Sequence, residues 1–213
     1  MHIILDFFQH LPTYLHMWAV DYGNGLYLIL FLIIFAETGL VFAPLLPGDS
    51  LLFATGALLA MGLPGLDIWT MVPLLCVAAV LGDFVNYHVG RWLGPKIFSG
   101  KKIRFLNPKH LQKTQEFYDK HGGKTIILAR FVPIVRTYAP FVAGMGKMAR
   151  DRFFMFNIVG GVVWITLFTV LGYFFGNLPA VKSNFQYFIM GIIVISVLPM
   201  VVEFLRARRG GVA

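Results

Sequence analysis

Charged residues are scarce in this chain. They make up 13% of its 213 residues, while hydrophobic residues make up 58%. A soluble domain of ordinary composition is about one quarter charged. The deficit excludes an ordinary soluble globular protein and indicates an integral membrane protein. No Ser/Gly linker or low-complexity run marks a boundary, so we expect a single membrane domain.

Cysteines and catalytic motifs are also scarce. The single cysteine, Cys76, excludes a disulfide framework, a CxxC pair and a thiolate metal site, and we expect it to be a packed small residue. No HExxH, P-loop, GxSxG or EF-hand pattern occurs, and the histidines stand in no arrangement typical of a nucleophile or of metal ligands. We therefore expect no enzyme activity, no cofactor and no metal site.

Basic residues are absent from the first 90 residues, which carry six acids, whereas residues 91–213 carry all 18 Lys and Arg against four acids. The aromatic residues lie in hydrophobic runs and the cations cluster at their ends, so we expect no nucleic-acid binding. Cytoplasmic loops of membrane proteins are enriched in Lys and Arg. Residues 91–124, residues 147–152 and the C-terminal tail are therefore predicted to be cytoplasmic.

The order of hydrophobic segments predicts an all-α, polytopic membrane protein. The predicted segments are an interfacial helix (2–20), a first re-entrant hairpin (25–62), a transmembrane helix (68–94), a basic cytoplasmic segment with a surface helix (95–123), a second re-entrant hairpin (124–146) and two further transmembrane helices (153–176 and 185–205).

Both predicted hairpins carry prolines and charges of one sign. The first holds Glu37 and Asp49 around Pro44 and Pro47, and the second holds Arg130 and Arg136 around Pro133 and Pro140. Four such charges facing lipid would together cost on the order of 10 kcal/mol. We therefore predict that these side chains face each other or water. The four prolines are predicted to be structural breaks in the helices.

The two halves of the chain resemble each other in the order of their segments. "GALLAMG" at 56–62 resembles "VAGMGKM" at 142–148, and "VGRWLG" at 89–94 resembles "LGYFFG" at 171–176. Cytoplasmic basic segments on both sides of the second hairpin make it enter and leave on one side, and the same reasoning makes the first hairpin enter from the other. We therefore predict two opposed hairpins in an inverted repeat, an arrangement that marks substrate sites in transporters.

The charged residues suggest recognition of a phosphate. A guanidinium can bind two phosphate oxygens, so Arg130 and Arg136 are candidate substrate-binding residues, although each could instead anchor the chain at the interface. Burial favours the protonated form of a carboxyl group, and a neighbouring arginine favours the ionised form. Glu37 and Asp49 are therefore candidate proton-coupling residues, while "PGDS" also suits a helix cap by Asp49.

Two further polar residues stand in the first apolar span. Asp83 and Asn86 share one helical face, so they are candidates to line the same cavity. Hydrogen bonding from helix to helix is an equally good interpretation.

Several of these stretches resemble the DedA family of bacterial inner-membrane proteins, in the superfamily that shares the VTT (SNARE-associated) domain. The resemblance is carried by "ETGL…PLLPGDSLL" at 37–52, "GDFVNYHVGRWLG" at 82–94, "HGGKTIILARFVPIVRT" at 121–137 and "APFVAGMG" at 139–146. It implies a multi-pass inner-membrane transporter whose best supported substrate is undecaprenyl phosphate, with dependence on the proton-motive force. The essential acids and arginines of the family fall on Glu37, Asp49, Arg130 and Arg136.

The leading hypothesis is a flippase for a lipid phosphate, whose partners are a membrane lipid, such as undecaprenyl phosphate or another phospholipid, and protons. The alternatives are a proton-coupled antiporter for small cations or drugs and a non-transporting membrane assembly factor. The sequence leaves open the exact substrate, the direction of transport, the side of the N-terminal helix and whether the chain forms a homo-oligomer.

Overall fold

The computed structural model describes residues 23–40, 48–62, 65–98, 114–116, 120–179, 181 and 191. Every regular element in this part of the chain is helical, in agreement with the predicted all-α fold. The elements are α1 (Gly25–Gly39), α2 (Gly48–Leu59), α3 (Ile68–Phe98), a 3₁₀ turn (Gly122–Lys124), α4 (Thr125–Ala129), α5 (Pro133–Met145) and α6 (Arg150–Gly176). Three predicted features lie outside the described residues. They are the interfacial helix, the pair Pro44 and Pro47, and the span over 185–205 with the exception of residue 191.

Helices α3 and α6 are long and apolar enough to cross a membrane, over Ile68–Gly94 in α3 and along the whole of α6. Away from their first turns, most of their exposed side chains are apolar. On α3, Leu81 and Val85 are each 44% exposed, whereas Asp83 and Asn86 are buried. A helix on the surface of a soluble protein has the reverse pattern, with its apolar stripe facing the core. The pattern of α3 is that of a helix with lipid on its outer face.

The two prolines of α5 have different positions. Pro133 is its first residue, where the missing N–H removes no helical hydrogen bond. Pro140 lies inside the helix, so the prediction that it breaks the helix is wrong. The helix continues because all of residues 135–144 except Arg136 are buried, and this packing offsets the cost of an internal proline, about 3 kcal/mol.

The chain divides into two compact units, the first formed by residues 1–26, 47–71 and 167–213, and the second by residues 27–46 and 72–166. In the first unit, α2 lies directly against the end of α6. A β-carbon on Gly56 would meet the carbonyl oxygen of Thr169 and lie 2.8 Å from the backbone nitrogen of Tyr173. Likewise, Gly172 abuts the carbonyl oxygen of Phe53. The missing side chains allow the two backbones to touch.

The second unit contains a helix pair built in the same way, from α5 and α3. A β-carbon on Gly144 would meet the carbonyl oxygen of Tyr87 and lie 2.8 Å from the backbone nitrogen of Arg91, and Gly90 abuts the carbonyl oxygen of Phe141. Small residues that bring backbones together are typical of helix packing in membranes.

The two helix pairs also share a direction. In the first unit, Phe53 lies against Gly172 and Ala57 against Gly176, one turn further along both helices. In the second unit, Phe141 lies against Gly90 and Met145 against Gly94 in the same manner. Because the contacts advance together along both chains, each pair runs parallel. The glycines of α3 and α6 stand four residues apart, as in a Gly-x-x-x-Gly motif.

Aromatic contacts hold the start of α6 against α3 in the second unit. The Tyr87 hydroxyl donates a hydrogen bond to the carbonyl of Met148, and its ring stacks on Phe153 with centroids 4.3 Å apart. Lys147, in the turn between α5 and α6, has a positive φ of 54°. These contacts fix the path of the chain from α5 into α6, which carries several residues of the site.

Candidate functional site

A break in the backbone separates the two arginines of the second unit. Helix α4 ends at Ala129, and the next three residues close short turns, with the amides of Arg130, Phe131 and Val132 each bonded to the carbonyl three residues back. Val132 is extended, with φ −116° and ψ 106°, as the residue before a proline prefers. Arg130 therefore ends one helix, while Arg136 lies in the first turns of the next.

Arg130 is buried and is held by two neighbouring helices. Its guanidinium forms an ion pair with Asp83 of α3 and donates a hydrogen bond of 2.7 Å to the side-chain oxygen of Asn157 on α6. Asn157 in turn donates to the carbonyl of Val80 on α3, at 2.9 Å. Asn157 therefore ties α6 both to Arg130 and to the backbone of α3.

Two adjacent glycines of α6 make room for Arg130. A β-carbon on Gly160 would lie 3.0 Å from its Nε and 3.2 Å from the Cα of Ile127, and one on Gly161 would lie 3.5 Å from its Nη2. A larger residue at Gly160 would push the guanidinium out of its position. The placement of Arg130 thus depends on the absence of side chains as well as on its polar partners.

Arg136 forms an ion pair with Glu37, which lies near the end of α1 and is fully buried. The side chain of Arg136 is 11% exposed, against 3% for Arg130. Helix α1 reaches this position because Gly82 of α3 lets it approach, since a β-carbon there would lie 2.8 Å from the carbonyl oxygen of Phe35. Arg136 is therefore the more accessible of the two cations.

Asn86 links the backbones on both sides of the second ion pair. Its side-chain nitrogen donates to the carbonyl of Thr38, at 3.2 Å, and to the carbonyl of Thr137, at 2.9 Å. Thr38 follows Glu37 in the chain, and Thr137 follows Arg136. Asn86 thus holds the two paired residues at a fixed separation from α3. Its own side-chain oxygen accepts no hydrogen bond within the described residues.

Trp164 of α6 lies under both guanidiniums. The Cζ of Arg136 is 4.9 Å from the centre of the indole ring, and that of Arg130 is 5.7 Å from it. Both distances are within the range of a cation–π contact. Trp164 itself is fully buried. Two guanidiniums, two carboxylates and one indole thus form a single buried cluster in the second unit.

The residues predicted from the sequence divide between the two units. Glu37, Asp83, Asn86, Arg130 and Arg136 come together in the second unit. Asp49 belongs to the first unit, in the first turn of α2, where a carboxylate favours the helix N-terminus. Arg130 thus pairs with Asp83, a residue that the sequence suggested only as a candidate to line the cavity.

Sequence reasoning missed three parts of the cluster. Asn157 is a polar residue inside an apolar span, the same signal that singled out Asp83, and it could have been found on that ground. The pair Gly160–Gly161 gave a weaker signal, because glycines are frequent in membrane helices. Trp164 gave none, since a tryptophan in a hydrophobic run is most simply a packed or interfacial residue.

Comparisons with known proteins gave matches over most of the chain. A family model for the VTT domain matches residues 46–174. The chain is 51% identical over 209 residues to Protein DedA of Escherichia coli (strain K12), which covers 98% of this chain and 95% of that protein. It is 46% identical over 170 residues to an uncharacterized membrane protein of Mycobacterium leprae (strain TN), covering 80% of this chain and 75% of the relative.

A further match is to Inner membrane protein YqjA of Escherichia coli (strain K12), at 37% identity over 171 residues, covering 76% of this chain and 77% of the relative. No solved structure matches the chain significantly. The residues matched by the VTT model include Asp83, Arg130, Arg136 and Trp164 of the buried cluster.

Proposed function

Since this chain belongs to the DedA family of VTT-domain membrane proteins, we propose that it is a transporter that moves a lipid phosphate, such as undecaprenyl phosphate, across the bacterial inner membrane. The observation that carries the proposal is the Arg136–Glu37 ion pair, whose cation is partly accessible and whose carboxylate is fully buried. In this function the protein moves the lipid from one leaflet to the other and makes or breaks no covalent bond.

A phosphate headgroup is the ligand that suits Arg136 best. The guanidinium is planar, stays charged when partly buried and can bind two phosphate oxygens at once. In the cluster, the guanidinium of Arg136 is paired with Glu37. A lipid phosphate that arrives at Arg136 must therefore replace Glu37 as the anion bound to that guanidinium.

Proton coupling follows from the same exchange. With all four groups ionised, the two arginines are balanced by Glu37 and Asp83, so an added phosphate would bring excess negative charge into a buried site. Protonation of Glu37 removes one of these negative charges and releases Arg136 for the phosphate. We assign Glu37 the role of a proton-coupling residue on this ground. Asp49, in the first unit, keeps its predicted proton-coupling role.

Arg130 has a different part in the proposal. Its partners Asp83 and Asn157 and the adjacent Gly160 hold it in place, and it is nearly inaccessible. We therefore assign it a supporting role in which it supplies a fixed positive potential for the headgroup, while Arg136 makes the first contact.

The internal repeat is part of the proposal. Gly56 and Gly144 occupy corresponding places in their helix pairs, as do Gly172 and Gly90. The same correspondence links the repeated stretches of the sequence. This supports two copies of one hairpin-and-span unit. The opposed, re-entrant insertion of the hairpins, the multi-pass topology and a cytoplasmic C-terminus rest on the distribution of Lys and Arg.

A leaflet-exchange assay in liposomes tests the proposal. The protein is reconstituted with labelled undecaprenyl phosphate, and the fraction reaching the other leaflet is followed with time. We compare wild type with the double variant Glu37→Gln/Arg136→Gln, which removes both charges but keeps hydrogen-bonding groups. Arg152→Gln, which changes an exposed arginine at the start of α6, is the matched control.

Wild type and Arg152→Gln should exchange the labelled lipid, whereas the double variant should be no faster than protein-free liposomes. Labelled undecaprenol, which lacks the phosphate, should not move with any of them. Equal rates for wild type and the double variant, or a wild type no faster than empty liposomes, would contradict the proposal. Flux of a small cation without lipid movement would indicate the antiporter, and neither activity would indicate an assembly factor.

A further inference from the structure

We propose that Trp164 is a positioning residue that holds Arg136 in the site while its carboxylate partner is exchanged, and that supports the fixed Arg130 from the same ring. The inference rests on the transport function proposed above and assigns a role to a side chain that bears no charge. It concerns how the cations remain in place during transport, and it makes the indole a determinant of affinity for the lipid phosphate.

The geometry points to a direct interaction between the ring and the cations. Trp164 is fully buried, and both guanidinium carbons lie within 6 Å of its ring centre, at 4.9 Å for Arg136 and 5.7 Å for Arg130. Tryptophan attracts cations more strongly than the other aromatic residues, and the attraction increases when the partners are removed from water. Both conditions hold here.

The ring differs from the carboxylates in one respect that matters for transport. In the proposed cycle, Glu37 gives up Arg136 when it takes a proton or when a phosphate arrives. A long arginine side chain without a buried partner tends to extend toward the membrane interface. The indole neither titrates nor competes with the phosphate, so it attracts the guanidinium before, during and after the exchange.

The shared ring also links the two cations. Two like charges repel each other, and a favourable contact besides its carboxylate stabilises each of them. One indole provides that contact for both, so a displacement of the ring would affect Arg130 and Arg136 together. This predicts that loss of the ring weakens phosphate binding more than loss of the same volume elsewhere on α6.

Simple packing is the competing explanation, because any truncation of a buried tryptophan leaves a cavity. Fluorinated tryptophans separate the two. Successive fluorine atoms withdraw electron density from the ring face and weaken cation binding, while the size of the side chain hardly changes. We would incorporate tryptophan with no, one, two or three ring fluorines into wild type and into Trp164→Phe, in which only the other three tryptophans carry fluorine.

Transport of labelled undecaprenyl phosphate is then measured as a function of lipid concentration. In wild type, KM should rise stepwise with fluorine number, by about threefold or more over the series, with kcat changing little. In the Trp164→Phe background, KM should start higher and be independent of fluorination. That flat series controls for Trp69 and Trp92, which are exposed, and for Trp18.

A KM in wild type that does not depend on fluorination, in protein that transports the lipid, would overturn the role of Trp164 and leave the transport proposal standing. Equal slopes in the two backgrounds would assign the effect to another tryptophan and would also overturn it. If wild type with ordinary tryptophan moves no lipid phosphate, the transport proposal fails and the positioning role fails with it.

Discussion

Arg130 and Arg136 are two arginines in one short stretch of the chain, but their surroundings differ. Arg130 is held by Asp83 and Asn157 and is 3% exposed, whereas Arg136 pairs with Glu37 and is 11% exposed. The sequence could predict that such charges need partners, because the cost of facing lipid is large. It could not predict which carboxylate serves which arginine, since that depends on helix register and on how closely glycines let the helices approach.

The first prediction concerns the Arg130–Asp83 pair. Changing Asp83→Asn should destabilise the protein by about 3–5 kcal/mol, because removing one partner leaves a buried charge uncompensated. The double variant Asp83→Asn/Arg130→Gln should recover part of that loss, since no charge is then left unpaired. The midpoints of unfolding in detergent give both values.

Asp151→Asn, which removes an exposed carboxylate from the first turn of α6, is the control and should change stability by no more than about 1 kcal/mol. If Asp83→Asn were as harmless as this control, or if the double variant were less stable than the single one, the two groups would not depend on each other in the folded protein.

The helices illustrate what a pattern can and cannot predict at the next scale. The apolar spans indicated α3 and α6 because length and hydropathy alone select such helices. Pro140 was predicted to break a helix because the local cost is real, but burial of the surrounding residues of α5 outweighs it. Asp49 is the second residue of α2, so it lies inside the first turn and not at the N-cap position, and its proton-coupling role stays a prediction.

The close glycine contacts predict at which positions a substitution by alanine destabilises the helix pairs. Gly144→Ala should destabilise the protein by roughly 1–3 kcal/mol, because the new methyl group would overlap the carbonyl of Tyr87 and crowd the nitrogen of Arg91. The neighbouring Gly146→Ala is the control. That residue is exposed, and its β-carbon would lie no closer than 3.3 Å to any atom.

The corresponding change in the first unit, Gly56→Ala, should cost a similar amount, because it meets the backbone of Thr169 in the same way. Unfolding midpoints in detergent compare the three variants. A Gly144→Ala protein as stable as Gly146→Ala would show that the backbones of α3 and α5 are not in contact in the membrane protein.

For the molecule as a whole, the uneven distribution of charge is the strongest signal in the sequence. The first 90 residues contain six acids and no Lys or Arg, and all 18 Lys and Arg lie in the rest of the chain. This distribution predicted the membrane topology, with one acidic and one basic hairpin. The family resemblance is confirmed by the VTT match and by the relatives. Trp164 and the glycines beside Arg130 could not be assigned to the site, because their role depends on which helices meet in three dimensions.

The transport account joins these scales in one claim, that a lipid phosphate and Glu37 compete for Arg136. Ionised Glu37 occupies the arginine, and protonation releases it, so binding to wild type should strengthen as the pH falls. In Glu37→Gln there is no competing anion, and binding should be strong at every pH. Titration of the phosphate itself contributes equally to both proteins, and the difference between them isolates the role of Glu37.

The most direct test is therefore the affinity of purified wild type and Glu37→Gln for undecaprenyl phosphate, measured in nanodiscs from mildly acidic to mildly basic pH. The account predicts that the variant binds about tenfold more tightly than wild type at basic pH, as expected for loss of one competing charged hydrogen bond, and that the two affinities converge at acidic pH. Parallel pH profiles with equal affinities would contradict it.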